Sequence, residues 1–462
     1  MPNYFVNRSS GKAISIMPLS KKELADWLKK QPKAVQNWVL ANNFEAKSGS
    51  FCLLANSKKG EVEKVLLGVE SADDYWAFAA LPTKLPQGQY EIISNWNVKQ
   101  LERAAIAWGL GTYSFAKYKK APAIKASLVL PKEVDKKYVE EITSVICWVR
   151  DLINMPSHDF GPDELAKEAL NLAKEFSAKA TVIMGEKLRQ DFPAVYAVGK
   201  GSAKEPRLID LTWDKKKNAK MLTLVGKGVC FDSGGMDLKP PPFMVTMKDD
   251  MAGAAHALAL ARLIMTFDLP INLRVIIPVV ENMLAPNSFR PGDILKTRLG
   301  KTVEVGDTDA EGRLILADAL TLACEKKPDL LLDFATLTGA ARIALGPDLT
   351  ALFTDNEEVA HGLLTKIAEE KEPLWWLPLY APYKEMLDSK VADLVNISNT
   401  RYGGAITAAL FLKEFVVKGT SWAHFDLAAW HDRAKAGRAA GGDAMFLRGM
   451  FNYLREWAGK KL

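Results

Sequence analysis

Asp309, Glu311 and Arg313 alternate along residues 306–320, G-D-T-D-A-E-G-R-L-I-L-A-D-A-L, where an extended segment gives way to a helix. Two carboxylates and a guanidinium therefore leave one short turn on nearly the same side. A second polar cluster lies well upstream. It holds Lys227, Asp232, Lys239 and Asp250, within V-G-K-G-V-C-F-D-S-G-G-M-D-L-K-P and the later M-K-D-D-M-A-G-A-A. A fold that joins the two clusters makes an oxygen-rich pocket with fixed cations. Carboxylates that close repel one another strongly unless metal ions neutralise them. The residue types point to a dinuclear metal enzyme.

Other chemistries fit these residues less well. The glycine-rich stretch 225–235 follows a strand, but Gly226-Lys227 lacks the upstream glycine and the following Ser or Thr of a P-loop. Phe231 stands where the third glycine of a dinucleotide fingerprint belongs. The same Phe231 lies two residues before Ser233, so there is no G-x-S-x-G elbow. His158, His256, His361, His424 and His431 are scattered, and none lies in H-E-x-x-H. A purely structural reading of the acids also stands beside the metal reading. Asp309 and Asp250 each precede a helix as an N-cap would, and Glu311 in a first turn suits the helix dipole. Singly, each acid reads more readily as a cap. Jointly, with Lys227 among glycines and D-S-G-G after a buried strand, they read as a site.

The elements that must position these residues alternate regularly from residue 161 onward. Helix 164–176 leads to strand 180–184, and strand 221–225 precedes the first polar cluster. Helix 251–267, strand 273–280, helix 313–325 and strand 330–335 continue the series. This order implies a mainly parallel central sheet covered by helices, with sites at the carboxyl ends of strands. Residues 1–135 read as a smaller N-terminal α/β domain, with strands at 51–55 and 64–69 and a helix at 97–110. Residues 136–160 read as a connecting helix, with its helical run at 138–154 stopped by Pro156, and 161–462 as the catalytic domain.

With 462 residues, 48% hydrophobic and 25% charged, the chain has the composition of a folded globular protein in two domains. A net charge of +6 is mild for this length, and the lysine run at 214–220 reads as a solvated loop rather than a nucleic-acid patch. Cys52, Cys147, Cys230 and Cys324 form no C-x-x-C pair and read as reduced thiols. No apolar signal core opens the chain, and no run is long enough to span a membrane. These features give the expectation of a cytoplasmic protein with no membrane partner.

At these residues the sequence resembles the leucyl aminopeptidase family of dinuclear zinc peptidases. The similarity runs over roughly 145–417 and rests on V-G-K-G-V-C-F-D-S-G-G with L-K-P, K-D-D-M-A-G-A-A, D-T-D-A-E-G-R-L, A-T-L-T-G-A, R-D-L-I-N-M-P and G-G-A-I-T-A-A-L-F-L. The resemblance implies one metal site at Lys227, Asp232, Asp250 and Glu311, and a more exchangeable one at Asp232, Asp309 and Glu311. It implies two divalent ions per chain, Zn²⁺ or Mn²⁺, with Co²⁺ or Mg²⁺ as substitutes. It gives Lys239 to the oxyanion, Arg313 to a bicarbonate that acts as general base, and Met247, Thr336 and Gly339 to the pocket for the first side chain. Peptides with a free, preferentially leucine-like N-terminus and a homo-hexamer follow from the same resemblance. A DNA-binding or regulatory family member is the rival, and the modest charge favours it little. Three departures stand out: Asp307 where the family has Asn, Ala252 where it has Gly, and the absence of G-T after strand 422–426.

Overall fold

The computed structural model describes residues 4–56, 60–215 and 217–459. The first three residues of the N-terminal stretch and Lys216 of the lysine run lie outside that set. The chain divides into two compact units, Met1–Cys147 with Asp432–Ala440, and Trp148–His431 with Gly441–Leu462.

In the first unit six strands pair in the order Phe5–Val6, Ala126–Val129, Gly88–Ile92, Ile14–Leu19, Val62–Gly68 and Phe51–Ala55. Every neighbouring pair is parallel except the last. The strand expected at 51–55 has those bounds, whereas the one expected at 64–69 runs from Val62 to Gly68. The other four strands were not expected from the sequence. Helix Val98–Leu110 starts where the sequence predicts. Asn97 accepts from the Gln100 amide at 3.0 Å, and Gln100 accepts from the Asn97 amide at 3.0 Å. This reciprocal cap satisfies donors that the helix leaves open.

The second unit is built on a nine-stranded sheet. Its main path runs Leu374–Trp376, Thr350–Phe353, Trp422–Asp426, Leu330–Ala335, Met221–Gly226, Asn272–Asn282, Arg207–Trp213, Lys179–Ile183, with Gly228–Asp232 added against Asn272–Asn282. The four central strands, Trp422–Asp426 to Asn272–Asn282, are parallel, as the alternation of elements requires. Arg207–Trp213, Lys179–Ile183 and Thr350–Phe353 join antiparallel and depart from that expectation. Leu330–Ala335 is buried at every position, as a strand covered on both faces must be. Helix Ala252–Thr266 packs on strands Met221–Gly226 and Leu330–Ala335, and helix Gly312–Cys324 packs on Asn272–Asn282 and Met221–Gly226.

Among the described residues no helix is long and apolar enough to cross a membrane, and Cys52, Cys230 and Cys324 are free. Three histidines do structural work. His256 Nδ1 lies 2.7 Å from the Ala252 carbonyl, and its Nε2 accepts from the Met445 amide at 2.8 Å. His431 pairs with Asp443 at 2.9 Å. His424 faces Asp333 on the neighbouring strand at 2.6 Å, and Trp422 Nε1 donates to the other Asp333 oxygen at 2.6 Å.

Burial alone would lower the His424 pKa, but the Asp333 charge and hydrogen bond outweigh it and the net shift is upward. A histidine raised in the folded state contributes stability that is complete below its ordinary pKa of about 6.5 and fades as pH rises through the folded value. Replacing Asp333 with Asn should therefore destabilise by about 3–5 kcal/mol in acid, the cost of stripping one partner from a buried pair. The deficit should shrink as pH rises above neutrality. Thermal melts of both proteins from pH 6 to 9 check this; parallel curves would show that His424 is neutral throughout.

Candidate metal centre

The centre grows from the carboxyl ends of adjacent parallel strands. Gly226 and Phe334 are register partners, so Lys227 and Thr336 emerge side by side just beyond the sheet. The Lys227 amide donates to the Phe334 carbonyl at 2.9 Å, and Lys227 Nζ donates to the Thr336 carbonyl at 3.0 Å. Asp232 closes its strand opposite Asn282, whose Nδ2 donates to Asp232 Oδ1 at 2.8 Å. Beyond Asp232 the chain reverses at Gly234 and Gly235, with φ of +87° and +67°, values that favour glycine. That reversal returns Lys239 to the cluster, 2.8 Å from Asp232 Oδ2 and in an ion pair with Asp309.

The third arm is the turn before helix Gly312–Cys324. Thr308 is tied by Asp237, which accepts from its amide at 2.8 Å, and Asn282 Nδ2 donates to the Thr308 carbonyl at 3.0 Å. Asp307 Oδ1 accepts from the Asp309 amide at 2.7 Å. The unusual Asp307 thus shapes the turn that carries Asp309. At Gly312, a Cβ would stand 2.7 Å from Lys227 Nζ, so only a hydrogen there leaves the amine its place.

Asp232, Asp309 and Glu311 offer oxygen atoms within 4.8 Å of one another. Lys227 Nζ lies 2.7 Å from Asp250 Oδ1 and 3.0 Å from Glu311 Oε1, and Thr336 Oγ1 donates to Asp250 Oδ1 at 2.7 Å. Neither acid acts as a helix cap. The N-cap positions belong to Met251 and Glu311, and neither side chain makes a capping bond. The capping alternative for Asp250 and Asp309 is thereby removed.

Electrostatics mark the cluster as strained without a strong cation. Burial pushes Asp250, Asp309 and Glu311 above the ordinary carboxylate range, and the charge on Asp232 adds to the shift in each. Burial would lower both lysines, yet the surrounding carboxylates raise Lys227 and Lys239 instead. Asp250 Oδ2 is buried without a hydrogen-bond partner, and Asp309 Oδ1 and Glu311 Oε1 face only the lysines with which they form ion pairs. Orphaned buried oxygens facing one another fit a divalent cation, which takes hard oxygen ligands and has no angular demand of a hydrogen bond.

These residues line a cleft of about 250 Å³ with Met247, Thr336, Gly339, Phe243, Leu337, Thr338 and Arg342. Of the residues singled out from the sequence, Arg313 alone is absent from the lining. It is buried, donates from Nη1 to the Asn396 carbonyl at 2.8 Å, and is pulled down to about 10 by burial. Sequence reading missed Asn282, Asp237, Asn396, Asp426 and Arg342. Asn282 had one usable signal, a polar residue ending a long buried strand. Asp426 holds the turn after Ala335, accepting from the Leu337 amide at 3.0 Å and from Thr338 Oγ1 at 2.6 Å. In a larger recess between Leu379 and Trp422, Lys384 pairs with Glu414 and Lys413 with Asp355, both at 2.7 Å.

The family model described as the catalytic domain of the cytosol aminopeptidase family matches residues 147–450, and the M17 aminopeptidase N-terminal domain matches residues 14–131. The chain belongs to the cytosol aminopeptidase family. Membership makes it a peptidase-class hydrolase. The crystal structure of a cytosol aminopeptidase from Coxiella burnetii is 47% identical, with a TM-score of 0.95 over 98% of this chain and 99% of that one. A probable cytosol aminopeptidase from Chlamydia muridarum is 37% identical over 85% of both chains. In the relative from Chlamydia abortus, 43% identical, the match spans 66% of this chain and 63% of that protein's length. A bottromycin maturation enzyme, BotP, solved in complex with Mn, is 30% identical with a TM-score of 0.87 over 97% of this family member and all of BotP.

Proposed function

We propose that this chain is a metal-dependent aminopeptidase that releases leucine-like apolar residues from peptides with a free N-terminus. The carrying observation is the convergence of Asp232, Asp309 and Glu311 oxygens within 4.8 Å, beside an amine that only a metal or a proton can satisfy. Lys227, Asp232, Asp250 and Glu311 would hold one ion, and Asp232, Asp309 and Glu311 the other. The manganese bound by BotP supports a divalent occupant, Zn²⁺ or Mn²⁺, with Co²⁺ or Mg²⁺ as substitutes. When bound, two such ions polarise a carbonyl and acidify water.

The protein's own groups do the rest. Lys227 must release its proton to ligate, which the carboxylates oppose until dications cancel their field. Lys239 brings positive charge to the oxygen of the scissile carbonyl as it becomes an oxyanion. Arg313, still charged at neutral pH, would hold a bicarbonate anion, which would supply a general base for the attacking water. Met247, Thr336 and Gly339 form the wall against which the first side chain packs. Catalysis belongs to residues 161–462, with 1–135 as the N-terminal domain and 136–160 as the connecting helix. A cytoplasmic homo-hexamer acting on peptides completes the reading, in line with the family's cytosolic name and the free thiols.

Exhaustive chelation should abolish hydrolysis of leucine p-nitroanilide, and Zn²⁺, Mn²⁺ or Co²⁺ should restore it at about two ions per chain. Full activity in a preparation verified as metal-free would sink the proposal.

A further inference from the structure

Asn396 is fully buried, and its side chain is spent on the turn that presents Asp309. Its Oδ1 accepts from the Gly306 amide at 2.7 Å and from the Asp307 amide at 3.3 Å. Its Nδ2 donates to the Asp307 carbonyl at 2.7 Å and to the Ala310 carbonyl at 3.2 Å. Backbone amides only donate and carbonyls only accept, so the side-chain amide fits in one orientation alone. Asp309 lies between the two ends that Asn396 grips.

The clamp is itself held by a sheet. Strand Leu394–Val395 pairs in parallel with Thr302–Glu304, and the Asn396 amide donates to the Glu304 carbonyl at 3.0 Å. One residue is thus tied both to the strand that enters the turn and to the turn. Gly306 permits the close approach, since a Cβ there would stand 2.9 Å from Ile397 Cγ2 and 3.1 Å from Val395 Cγ2. The Asn396 carbonyl then takes Arg313 Nη1 at 2.8 Å, while Arg313 Nε is buried without a hydrogen-bond partner. A guanidinium anchored at one nitrogen in this way leaves another free to meet an anion.

We infer that Asn396 is a positioning residue: its side chain sets the turn that offers Asp309 to the more exchangeable ion, and its carbonyl orients Arg313 toward the anion that serves as base. The inference rests on the metal-dependent reading proposed above. Asn396 touches neither ion nor substrate and acts only through those two residues. Partners of this kind, one bond removed from the ligands, commonly change metal affinity or activity by about 10- to 100-fold when removed.

The test titrates Mn²⁺ into chelated wild type, Asn396→Ala and Gly306→Ala, and then follows leucine p-nitroanilide hydrolysis by each metal-loaded protein as bicarbonate is varied. Asn396→Ala removes the four side-chain hydrogen bonds, and Gly306→Ala presses on the same contact from the other side. Gly306→Ala decides alone where Asn396→Ala does not fold. The weaker of the two ions should bind about 10- to 100-fold less tightly in the variants, with the tighter ion changed less than about threefold. The bicarbonate concentration for half-maximal rate should rise, a readout that a merely structural asparagine would not move. Equal weakening of both ions, no weakening, or an unchanged bicarbonate response overturns the assignment. A wild type that binds no Mn²⁺ and still cleaves the substrate overturns the metal-dependent reading itself.

Discussion

Replacing Lys239 with alanine should lower kcat by about 10²–10³ while both metal ions stay bound, the loss expected on removing one preorganised donor to an oxyanion. The amine is placed for that task by the reversal at Gly234 and Gly235, and its side chain is only 14% exposed, so its charge acts in a poorly screened site. It is tied to Asp232 and Asp309, which keeps it at the mouth of the carboxylate cluster. Those ties also give a second readout. In chelated protein the cation offsets carboxylate repulsion, so Lys239→Ala should melt lower than wild type without metal. With metal restored, the dications take over that neutralisation and the melting points should converge. Metal analysis beside steady-state kinetics decides the matter: metal loss with unchanged intrinsic kcat would make Lys239 a structural residue.

Acetylating the amino terminus of a leucyl substrate should abolish its hydrolysis. The first peptide bond is the only one at a fixed distance from a free amine, so a site that holds the amine selects that bond. With metal bound to Asp250, Glu311 and Asp309, the cleft would suit a neutral amine, which keeps a lone pair to offer, and not an amide, whose lone pair is delocalised. The acetyl group also adds bulk to a cleft of about 250 Å³. Mass spectrometry of peptide digests checks the outcome. Stepwise loss of first residues is expected, and internal fragments or cleavage of blocked peptides would assign the chain to the endopeptidases.

How much of this was legible before folding follows from which interactions are local. The parallel core could be read because its strands are buried on both faces and come as near-continuous apolar runs, such as L-L-L-D-F-A, interrupted only by Asp333. The antiparallel additions Arg207–Trp213 and Thr350–Phe353 could not, since strand direction depends on partners far along the chain. The same holds in the first unit, where strands Phe5–Val6 and Gly88–Ile92 are short and their burial is mixed.

The site divides in the same way. By itself the sequence determined the acids, the two lysines and the family they mark, because those residues sit in short segments with their own turn and helix signals. Only the tertiary structure decided that Asp250 and Asp309 face each other's cluster rather than cap helices, since a cap and a ligand look alike until the donor atoms are placed. It also brought in Asn282 and Asp426, each set beside the site by pairing between strands distant in sequence. Asn396 belongs to that second group. As a sequence it is one more polar residue after a short strand, and its meaning comes from the turn it grips at Gly306, Asp307 and Ala310.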